Sequence, residues 1–233
     1  MAGRPHCQHS KQCELMTRST TMKPLILIGG GGHCKSVIEV AESVNRPIRG
    51  ILDLPSEVGK EIAGYPVIGT DDTIPEYIDS CEYLVTIGFI KNPEKRIGLY
   101  SRIQNLGGTF ATLIASTAHV SRHACIGPGS VVMHNAFVNT GAKIGNNVII
   151  NTFCNIEHDV VIGNHCHIST GTMVNGDCKI GDNCFIGSQS VIVNGIHIGK
   201  NIIIGAGSTV PADIETPGIY IGSPVCRKIQ KEA

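Results

Sequence analysis

Hydrophobic residues recur at every sixth position through the C-terminal half of the chain. Seventeen consecutive positions at this spacing, from Ile114 to Val210, hold only isoleucine or valine. A helix repeats every 3.6 residues and a strand every 2, so neither element alone gives a period of six. Short strands joined by tight corners and wound into a solenoid do give it. The residue two positions earlier is mostly small, so we expect each hexad to bury one branched and one small side chain.

A second period, of 18 residues, is superimposed on the first. Glycine directly follows the isoleucine at Ile126, Ile144, Ile162, Ile180 and Ile198, so three hexads make one coil. Glycine or asparagine, which tolerate sharp corners, follows many of the other hexad positions. The pattern predicts a triangular prism, a parallel β-helix of hexapeptide repeats over residues 111–215, with a tail over 216–233.

The N-terminal half has a different pattern, in which strands and helices alternate. The apolar run Leu25–Ile28 predicts a buried strand, and residues 34–43 have the apolar spacing of a helix. A second strand, Ile48–Leu52, ends in Asp53. Further strands are predicted over 65–68, 83–87 and 109–113, and further helices over 74–78 and 93–105. This alternation favours a parallel sheet in a small α/β, Rossmann-like domain over residues 23–110.

Four glycines and His33 separate the first strand from the first helix. A strand, a glycine turn, a helix and then an acid after the second strand are typical of nucleotide-binding turns, where backbone N–H groups approach a pyrophosphate. The domain has only roughly ninety residues, so a nucleoside diphosphate carrying one sugar fits it better than NAD. The competing interpretation is a glycine turn that binds nothing.

Composition narrows the possible partners. The 19 basic and 19 acidic side chains balance, and aromatic residues make up only 4% of the chain, so we expect no nucleic-acid partner. No run of 18 apolar residues is present, so we expect no membrane partner. Four of the ten cysteines occupy the small inward hexad position, which favours packing in a reduced, cytoplasmic protein. For residues 1–22 we expect a disordered extension, or an original start at Met22, rather than a metal site.

Residues 151–159 read Asn-Thr-Phe-Cys-Asn-Ile-Glu-His-Asp, and His167 follows. Together with the glycine turn and the hexads, this stretch resembles the hexapeptide-repeat sugar N-acetyltransferases, which act on nucleotide-linked 4-amino-4,6-dideoxy sugars, and the related sialic acid O-acetyltransferases. The resemblance runs from about residue 23 to 228 and implies a left-handed β-helix. It implies catalytic roles for His158 as the base, with Asp159, Glu157 and Asn151. It also implies acetyl-CoA contacts at His167, Gly176, Ser188 and Ala206.

The residues around His158 support the same role without the resemblance. His158 lies two residues past the inward Ile156, on the corner side, so its ring is expected to be accessible. Acidic neighbours on both sides can fix its tautomer and stabilise the imidazolium. An amine that attacks a thioester must lose a proton, which a histidine titrating near neutrality can accept. The alternative is an ordinary surface histidine.

The resemblance extends to the N-terminal domain. It implies that Gly31, Gly32, His33 and Gly88 contact the sugar nucleotide, and that Asp53 contacts the nucleobase or ribose. Several relatives have two acids in tandem after the second strand, whereas Leu54 follows Asp53 here, which leaves the nucleobase open. Residues 222–225, Gly-Ser-Pro-Val, resemble the family's terminal Gly-x-Pro-Ala.

The resemblance thus implies an acetyl-CoA-dependent transferase that acetylates the C4 amine of a UDP-linked 4-amino-4,6-dideoxy sugar. Transfer is expected to be direct, in a ternary complex, within a homotrimer whose active sites lie between subunits. GDP-perosamine and sialic acid are the alternative acceptors. A zinc-dependent β-helix carbonic anhydrase and a non-catalytic scaffold are the alternatives outside this chemistry, and we expect no metal.

Overall fold

The structure, a computed structural model, describes residues 22–222 and the backbone of residues 225–229. Its first part is a six-stranded sheet flanked by two helices. Strand order is β3-β4-β2-β1-β5-β6, and all pairs are parallel except the β3–β4 hairpin. The elements are β1 Leu25–Ile28, α1 Gly32–Ser43, β2 Ile48–Leu52, β3 Glu61–Ile62, β4 Tyr65–Gly69, β5 Glu82–Val85, α2 Glu94–Asn105 and β6 Thr109–Phe110, with 3-10 helices at Pro55–Glu57 and Asp71–Tyr77.

Three details of this sheet differ from the sequence prediction. The helix expected at 74–78 is the 3-10 helix Asp71–Tyr77, which has Pro75 inside it. The strand expected at 109–113 is divided, because Thr109–Phe110 pairs with β5 whereas Leu113–Ile114 begins the prism. The two-residue strand β3 was not predicted, since it is too short to show a period.

The second part is a left-handed β-helix whose seventeen strands each end on one of the seventeen hexad positions. Each strand from β7 to β20 pairs in parallel with the strand 18 residues later, as β10 does with β13. The strands are β7 Leu113–Ile114, β8 His119–Val120, β9 Cys125–Ile126, β10 Val131–Val132, β11 Phe137–Val138, β12 Lys143–Ile144, β13 Ile149–Ile150, β14 Asn155–Ile156, β15 Val161–Ile162, β16 His167–Ile168, β17 Met173–Val174, β18 Lys179–Ile180, β19 Phe185–Ile186, β20 Val191–Ile192, β21 His197–Ile198, β22 Ile202–Ile204 and β23 Thr209–Val210.

The strands form three faces, which we number in chain order. Face 1 contains β7, β10, β13, β16, β19 and β22, and is extended by β24 (Gly218–Gly222) and β25 (Val225–Ile229). Face 2 contains β8, β11, β14, β17, β20 and β23. Face 3 contains β9, β12, β15, β18 and β21. A corner segment of four residues joins each face to the next.

The corners depend on one backbone conformation that repeats every six residues. Fourteen consecutive positions, from Gly129 to Gly207, have positive φ between 55° and 76°. Glycine, asparagine or aspartate occupies most of them, because these residues tolerate the left-handed region at least cost. Phe153 is the bulkiest exception, and its side chain is 63% exposed.

The N-terminal sheet packs on the outside of face 1. Leu113, Val131 and Ile149 point away from the prism interior, yet they are buried in one cluster with Leu27 and Val37. The corresponding outward positions of face 3, such as Lys143, Val161 and Lys179, are exposed. Burial of face 1 therefore fixes the carboxyl ends of the N-terminal strands beside the coil that carries His167.

Candidate active site

A cleft of about 790 Å³ opens at the carboxyl ends of β1, β2 and β5, the edge where parallel α/β sheets bind ligands. The prism contributes one side chain to it, that of His167. Its lining contains Gly29, Gly30, Gly31, Gly32, His33, Asp53, Thr86, Ile87, Gly88, Phe89, Ile90, Lys91, Lys95 and His167. All five residues predicted to contact the sugar nucleotide are therefore brought together in one cleft.

The glycines of the turn fall into two pairs with different neighbours. A Cβ on Gly30 would lie 2.6 Å from Asp53 Oδ2, and Gly29 has a φ of 96°. These two positions need glycine for the fold itself. Gly31 and Gly32 have no atom within 4 Å of an added Cβ, so their backbone faces open space in the cleft. The second pair, at the start of α1, can therefore approach an anionic ligand closely.

Asp53 has a contact that the sequence did not reveal. Its Oδ2 accepts a hydrogen bond from the backbone N–H of Gly30 at 2.9 Å, which ties the end of β2 to the glycine turn. One carboxylate oxygen thus holds the turn in shape, whereas Oδ1 accepts no hydrogen bond from the part of the chain that the structure describes.

Two histidines lie side by side at the junction of the cleft and the prism, His33 half-buried and His167 buried. The rings of His33 and His167 are 6.3 Å apart between centroids. Burial, with smaller contributions from the Arg96 guanidinium and from His167, lowers the pKa of His33 to about 3. Burial likewise lowers the pKa of His167 to about 4. Both imidazoles are therefore neutral near pH 7, and His33 Nε2 is buried without a hydrogen-bond partner among the described residues.

The tautomer of His167 follows from its two contacts. Its Nδ1 lies 2.9 Å from the carbonyl oxygen of Phe89, so Nδ1–H is the donor. Its Nε2 lies 3.3 Å from Nδ2 of Asn151 and accepts a hydrogen bond from that amide. Asn151 Oδ1 accepts a hydrogen bond from the Thr152 N–H at 2.8 Å. The predicted catalytic Asn151 is thus connected to the cleft through His167.

His158 lies elsewhere, on the corner that follows face 2. Its Nδ1–H donates to Asp159 Oδ2 at 3.0 Å, which leaves Nε2 as the acceptor, and the side chain is 54% exposed. The ring lies over Gly176 in the next coil, where an added Cβ would come within 2.6 Å of His158 Nε2. The backbone N–H of Gly176 has no hydrogen-bond partner among the described residues.

Glu157 is held beside this corner by two amides. Its Oε2 accepts from Asn139 Nδ2 at 2.8 Å, and its Oε1 accepts from Asn155 Nδ2 at 3.0 Å. These hydrogen bonds lower the pKa of Glu157, with that from Asn155 contributing most. Glu157 is therefore a fixed carboxylate, and the contacts to Asn139 and Asn155 were not predicted from the sequence.

Ser188 and Ala206 lie on the corner between faces 1 and 2, one coil apart. Ser188 Oγ lies 2.8 Å from Ser169 Oγ, and Ala206 is exposed. Asn151 belongs to the same corner, whereas His158 and Gly176 lie at the opposite edge of face 2. A single chain thus places its predicted catalytic base and its cleft on different corners of the prism.

Sequence reasoning missed three basic residues near the cleft. Lys91 and Lys95 line its rim and are exposed. Arg96 lies behind the wall formed by residues 85–89 and is only 1% exposed. Their position just after Gly88, in a Lys-Asn-Pro-Glu-Lys-Arg run, was the available signal.

Membrane-spanning helices and clusters of metal ligands are both absent from the described residues. No helix between residues 22 and 222 is long and apolar enough to cross a bilayer. In the same part of the chain, no three histidine, cysteine or acidic side chains are grouped as metal ligands would be. The extension 1–21 and, in the predicted tail, residues 223–224 and 230–233 lie outside the described residues.

Three family models match the sequence. The model described as the PglD N-terminal domain matches residues 24–103. The bacterial transferase hexapeptide (six repeats) model matches residues 141–176, and the hexapeptide repeat of succinyl-transferase matches residues 178–212. A search of curated proteins found no match.

Solved structures similar to the whole described chain include two acetyltransferases. The acetyltransferase domain of PglB from Neisseria gonorrhoeae FA1090 is 30% identical, over 89% of this chain and 100% of that chain, with a TM-score of 0.80. The same domain has been solved with acetyl coenzyme A. PerB from Caulobacter crescentus, solved with CoA and GDP-perosamine, is 29% identical over 87% of this chain and 96% of that chain, with a TM-score of 0.81.

Proposed function

The chain belongs to the hexapeptide-repeat family of acetyl-CoA-dependent sugar N-acetyltransferases, and from that premise we propose that it acetylates the C4 amine of a UDP-linked 4-amino-4,6-dideoxy sugar. The domain over residues 23–110 binds the nucleotide sugar, and the β-helix over residues 111–215 binds acetyl-CoA and carries out transfer. His33, Asp53 and the backbone at Gly31, Gly32 and Gly88 take part in the first task, since all of them line one cleft.

The arrangement of His158 carries the proposal for the reaction. Asp159 accepts the Nδ1–H, so in the neutral imidazole the lone pair lies on Nε2, which can act as a base, and the side chain is 54% exposed. The uncharged sugar amine attacks the thioester carbonyl while His158 Nε2 takes a proton from the nitrogen. The C–S bond then breaks and CoA leaves as the thiol, with the proton supplied by the imidazolium. No covalent enzyme intermediate is needed.

The negative charge that develops on the thioester oxygen needs a hydrogen-bond donor. The backbone N–H of Gly176 has no partner within the described part of the chain and lies beside the His158 ring, so we assign it this role. Glu157 and Asn151 complete the catalytic set that we propose. Ser188, Ala206 and His167 lie along the corner and face to which we assign acetyl-CoA.

The position of these groups supports a homotrimer with active sites between subunits. The N-terminal sheet covers face 1, and face 3 presents exposed lysines. Face 2 has no charged residue at its outward strand positions, which are His119, Phe137, Asn155, Met173, Val191 and Thr209. Packing across face 2 would bring the His158 corner of one subunit towards the cleft side of another.

The acceptor can be identified by a substrate comparison. UDP-, dTDP- and GDP-linked 4-amino-4,6-dideoxy sugars and sialic acid would each be incubated with acetyl-CoA, with release of the CoA thiol measured. We expect the highest kcat/KM with the UDP-linked sugar. Preference for GDP-perosamine, which PerB binds, would change the assigned nucleobase, and acetylation of sialic acid alone would overturn N-acetylation. We infer a cytoplasmic location, because the seven described cysteines are all free thiols.

A further inference from the structure

Arg96 is a buried cation without an anionic partner. It lies on α2 and is 1% exposed, and no acidic side chain in the described chain forms an ion pair with it. The guanidinium instead donates to three carbonyl oxygens. Nη1 donates to the carbonyl of Val85 and, at 3.0 Å, to that of Ile87, while Nη2 donates to the carbonyl of Asn147 in the prism at 3.3 Å.

An unpaired buried charge is costly, and this one keeps its charge. Transfer of an ion from water to the protein interior costs several kcal/mol unless an opposite charge or hydrogen bonds compensate. Burial lowers the pKa of Arg96 to about 9, so the side chain remains protonated near pH 7. The Nε atom has no acceptor among the described residues. Three carbonyl dipoles stabilise the guanidinium only in part.

Two of the three carbonyls that Arg96 binds, those of Val85 and Ile87, belong to the wall of the cleft. This wall, residues 85–89, is also tied to the glycine turn, because Thr86 Oγ1 donates to the carbonyl of Ile28 at 2.9 Å and that of Gly29 at 2.6 Å. At its far end the Phe89 carbonyl accepts from His167. Arg96 therefore sets the distance between the wall and the prism, and its charge lies directly behind the cleft surface.

The lining of the cleft contains few other charges. Lys91 and Lys95 are exposed at the rim, and the half-buried Asp53 is the acidic residue in the lining. The neutral His33 and His167 supply no charge. Arg96 is thus the fixed, desolvated cation of this region, where the electrostatic attraction of an anion is stronger than at the surface.

We propose that Arg96 is a positioning residue for the nucleotide sugar: it holds residues 85–89 in place, and its unpaired charge behind that wall is balanced by the diphosphate of the bound ligand. This inference rests on the proposed function, since it requires a nucleoside diphosphate in the cleft. It assigns Arg96 no contact with acetyl-CoA.

The test compares two substitutions of Arg96 in the full-length chain. Arg96→Gln removes the charge, whereas Arg96→Lys keeps the charge but loses the forked hydrogen bonds. Arg102→Gln is the control, because Arg102 lies on the same helix in an exposed ion pair with Asp72. The probes are UDP, GDP and dTDP, together with acetyl-CoA. The affinity of each is measured by isothermal titration calorimetry at about 50 mM and about 300 mM salt, which lie on either side of the physiological ionic strength.

We expect Arg96→Gln to weaken the binding of the preferred nucleoside diphosphate by about tenfold or more and to reduce its salt dependence. Arg96→Lys should weaken binding less and retain the salt dependence. The affinity for acetyl-CoA should change less than about twofold in both variants. A folding defect alone would instead lower the affinities for the diphosphate and for acetyl-CoA together. Arg102→Gln should leave all of these affinities unchanged.

Wild-type diphosphate affinity in Arg96→Gln, or an equal loss for acetyl-CoA, would overturn the proposal. If Arg96→Gln fails to fold, the Arg96→Lys variant provides the test. A diphosphate affinity equal to that of the wild type in Arg96→Lys, or a loss of its salt dependence, would also overturn the proposal. A wild-type chain that binds none of the three diphosphates would instead refute the proposed function, and the inference with it.

Discussion

At the scale of single residues, the His158 corner depends on the absence of a side chain in the next coil. An added Cβ on Gly176 would lie 2.6 Å from His158 Nε2, closer than such atoms approach. We expect Gly176→Ala to displace the imidazole and lower kcat by roughly 10- to 100-fold, because small misplacements of a catalytic group are costly. Steady-state kinetics would measure this. Gly98→Ala is the control, since Gly98 lies in α2 with open space around it, and its full activity is required for the interpretation.

The role of His158 itself has a direct test. His158→Ala and His158→Asn should fold as the wild type does, because the side chain is 54% exposed, and should lose kcat by roughly 10²- to 10⁴-fold. Circular dichroism would check folding and a thiol-release assay would measure turnover. His123→Ala is a matched control on the same column of corners. Turnover near that of the wild type in His158→Ala would rule out general base catalysis by this residue.

At the scale of the repeating element, the small inward position is also a hydrogen-bond donor. Ser130 and Ser190 donate from Oγ to carbonyls fifteen residues later, each at 2.9 Å, and Cys166 and Cys184 donate from Sγ in the same way, at 3.1 and 3.0 Å. The sequence suggested only that these cysteines are small and apolar. The structure shows that a hydroxyl and a thiol satisfy the same corner carbonyl.

This equivalence predicts how the coil responds to substitution. Cys166→Ser should cost less than about 1 kcal/mol of unfolding free energy, because its hydroxyl can donate to Gly181 O as Ser190 donates to Gly205 O. Ser190→Ala should cost about 1–3 kcal/mol, because it removes the donor to Gly205 O and the acceptor of the buried Ser208 N–H. Urea denaturation would measure both. A larger loss for Cys166→Ser than for Ser190→Ala would contradict the shared role.

At the scale of the whole molecule, the two neutral histidines at the junction make stability depend on pH. In the unfolded chain a histidine has a pKa near 6.5, whereas burial lowers that of His33 to about 3 and that of His167 to about 4. Below pH 6.5 the unfolded chain therefore binds protons that the folded chain does not. The free energy of unfolding should fall with decreasing pH, by up to about 1.4 kcal/mol per pH unit for each histidine, until pH about 4.

Urea denaturation at several pH values between about 4.5 and about 7.5 would measure how steeply the free energy of unfolding changes with pH. His33→Asn should remove roughly half of the histidine contribution, because it removes one of the two imidazoles whose pKa is lowered in the folded chain. The carboxylates contribute equally to both proteins, so the difference between the two curves isolates His33. Parallel curves would show that His33 is not buried as a neutral group.

The proposed trimer makes a prediction about two faces of the prism. Met173 on face 2 is 44% exposed and Val161 on face 3 is 37% exposed in the single chain. Met173→Glu should dissociate the trimer and abolish transfer, because a carboxylate buried between subunits lacks a partner. Val161→Glu should leave both unchanged. Light scattering after size-exclusion chromatography would give the mass, and a trimeric Met173→Glu protein would exclude face 2 as the interface.

The sequence by itself determined the prism. Every hexad position from Ile114 to Val210 ends a strand, because a six-residue period with a corner residue in each repeat allows only one way to bury the branched side chains. The glycine turn and the order of strands and helices around it could be predicted for the same reason. Periodicity and turn chemistry are local properties, and they can be read along the chain.

Only the tertiary structure decided which distant residues share a site. Asn151 is linked to Phe89 through His167, Asp53 closes the glycine turn, and Arg96 binds carbonyls of both parts of the chain. None of these contacts has a sequence signal, since each joins residues that are more than ten positions apart or in different units. The neutral state of His33 and the unpaired charge of Arg96 were also decided there, because the cost of a charge depends on burial, and burial is a property of the packed molecule.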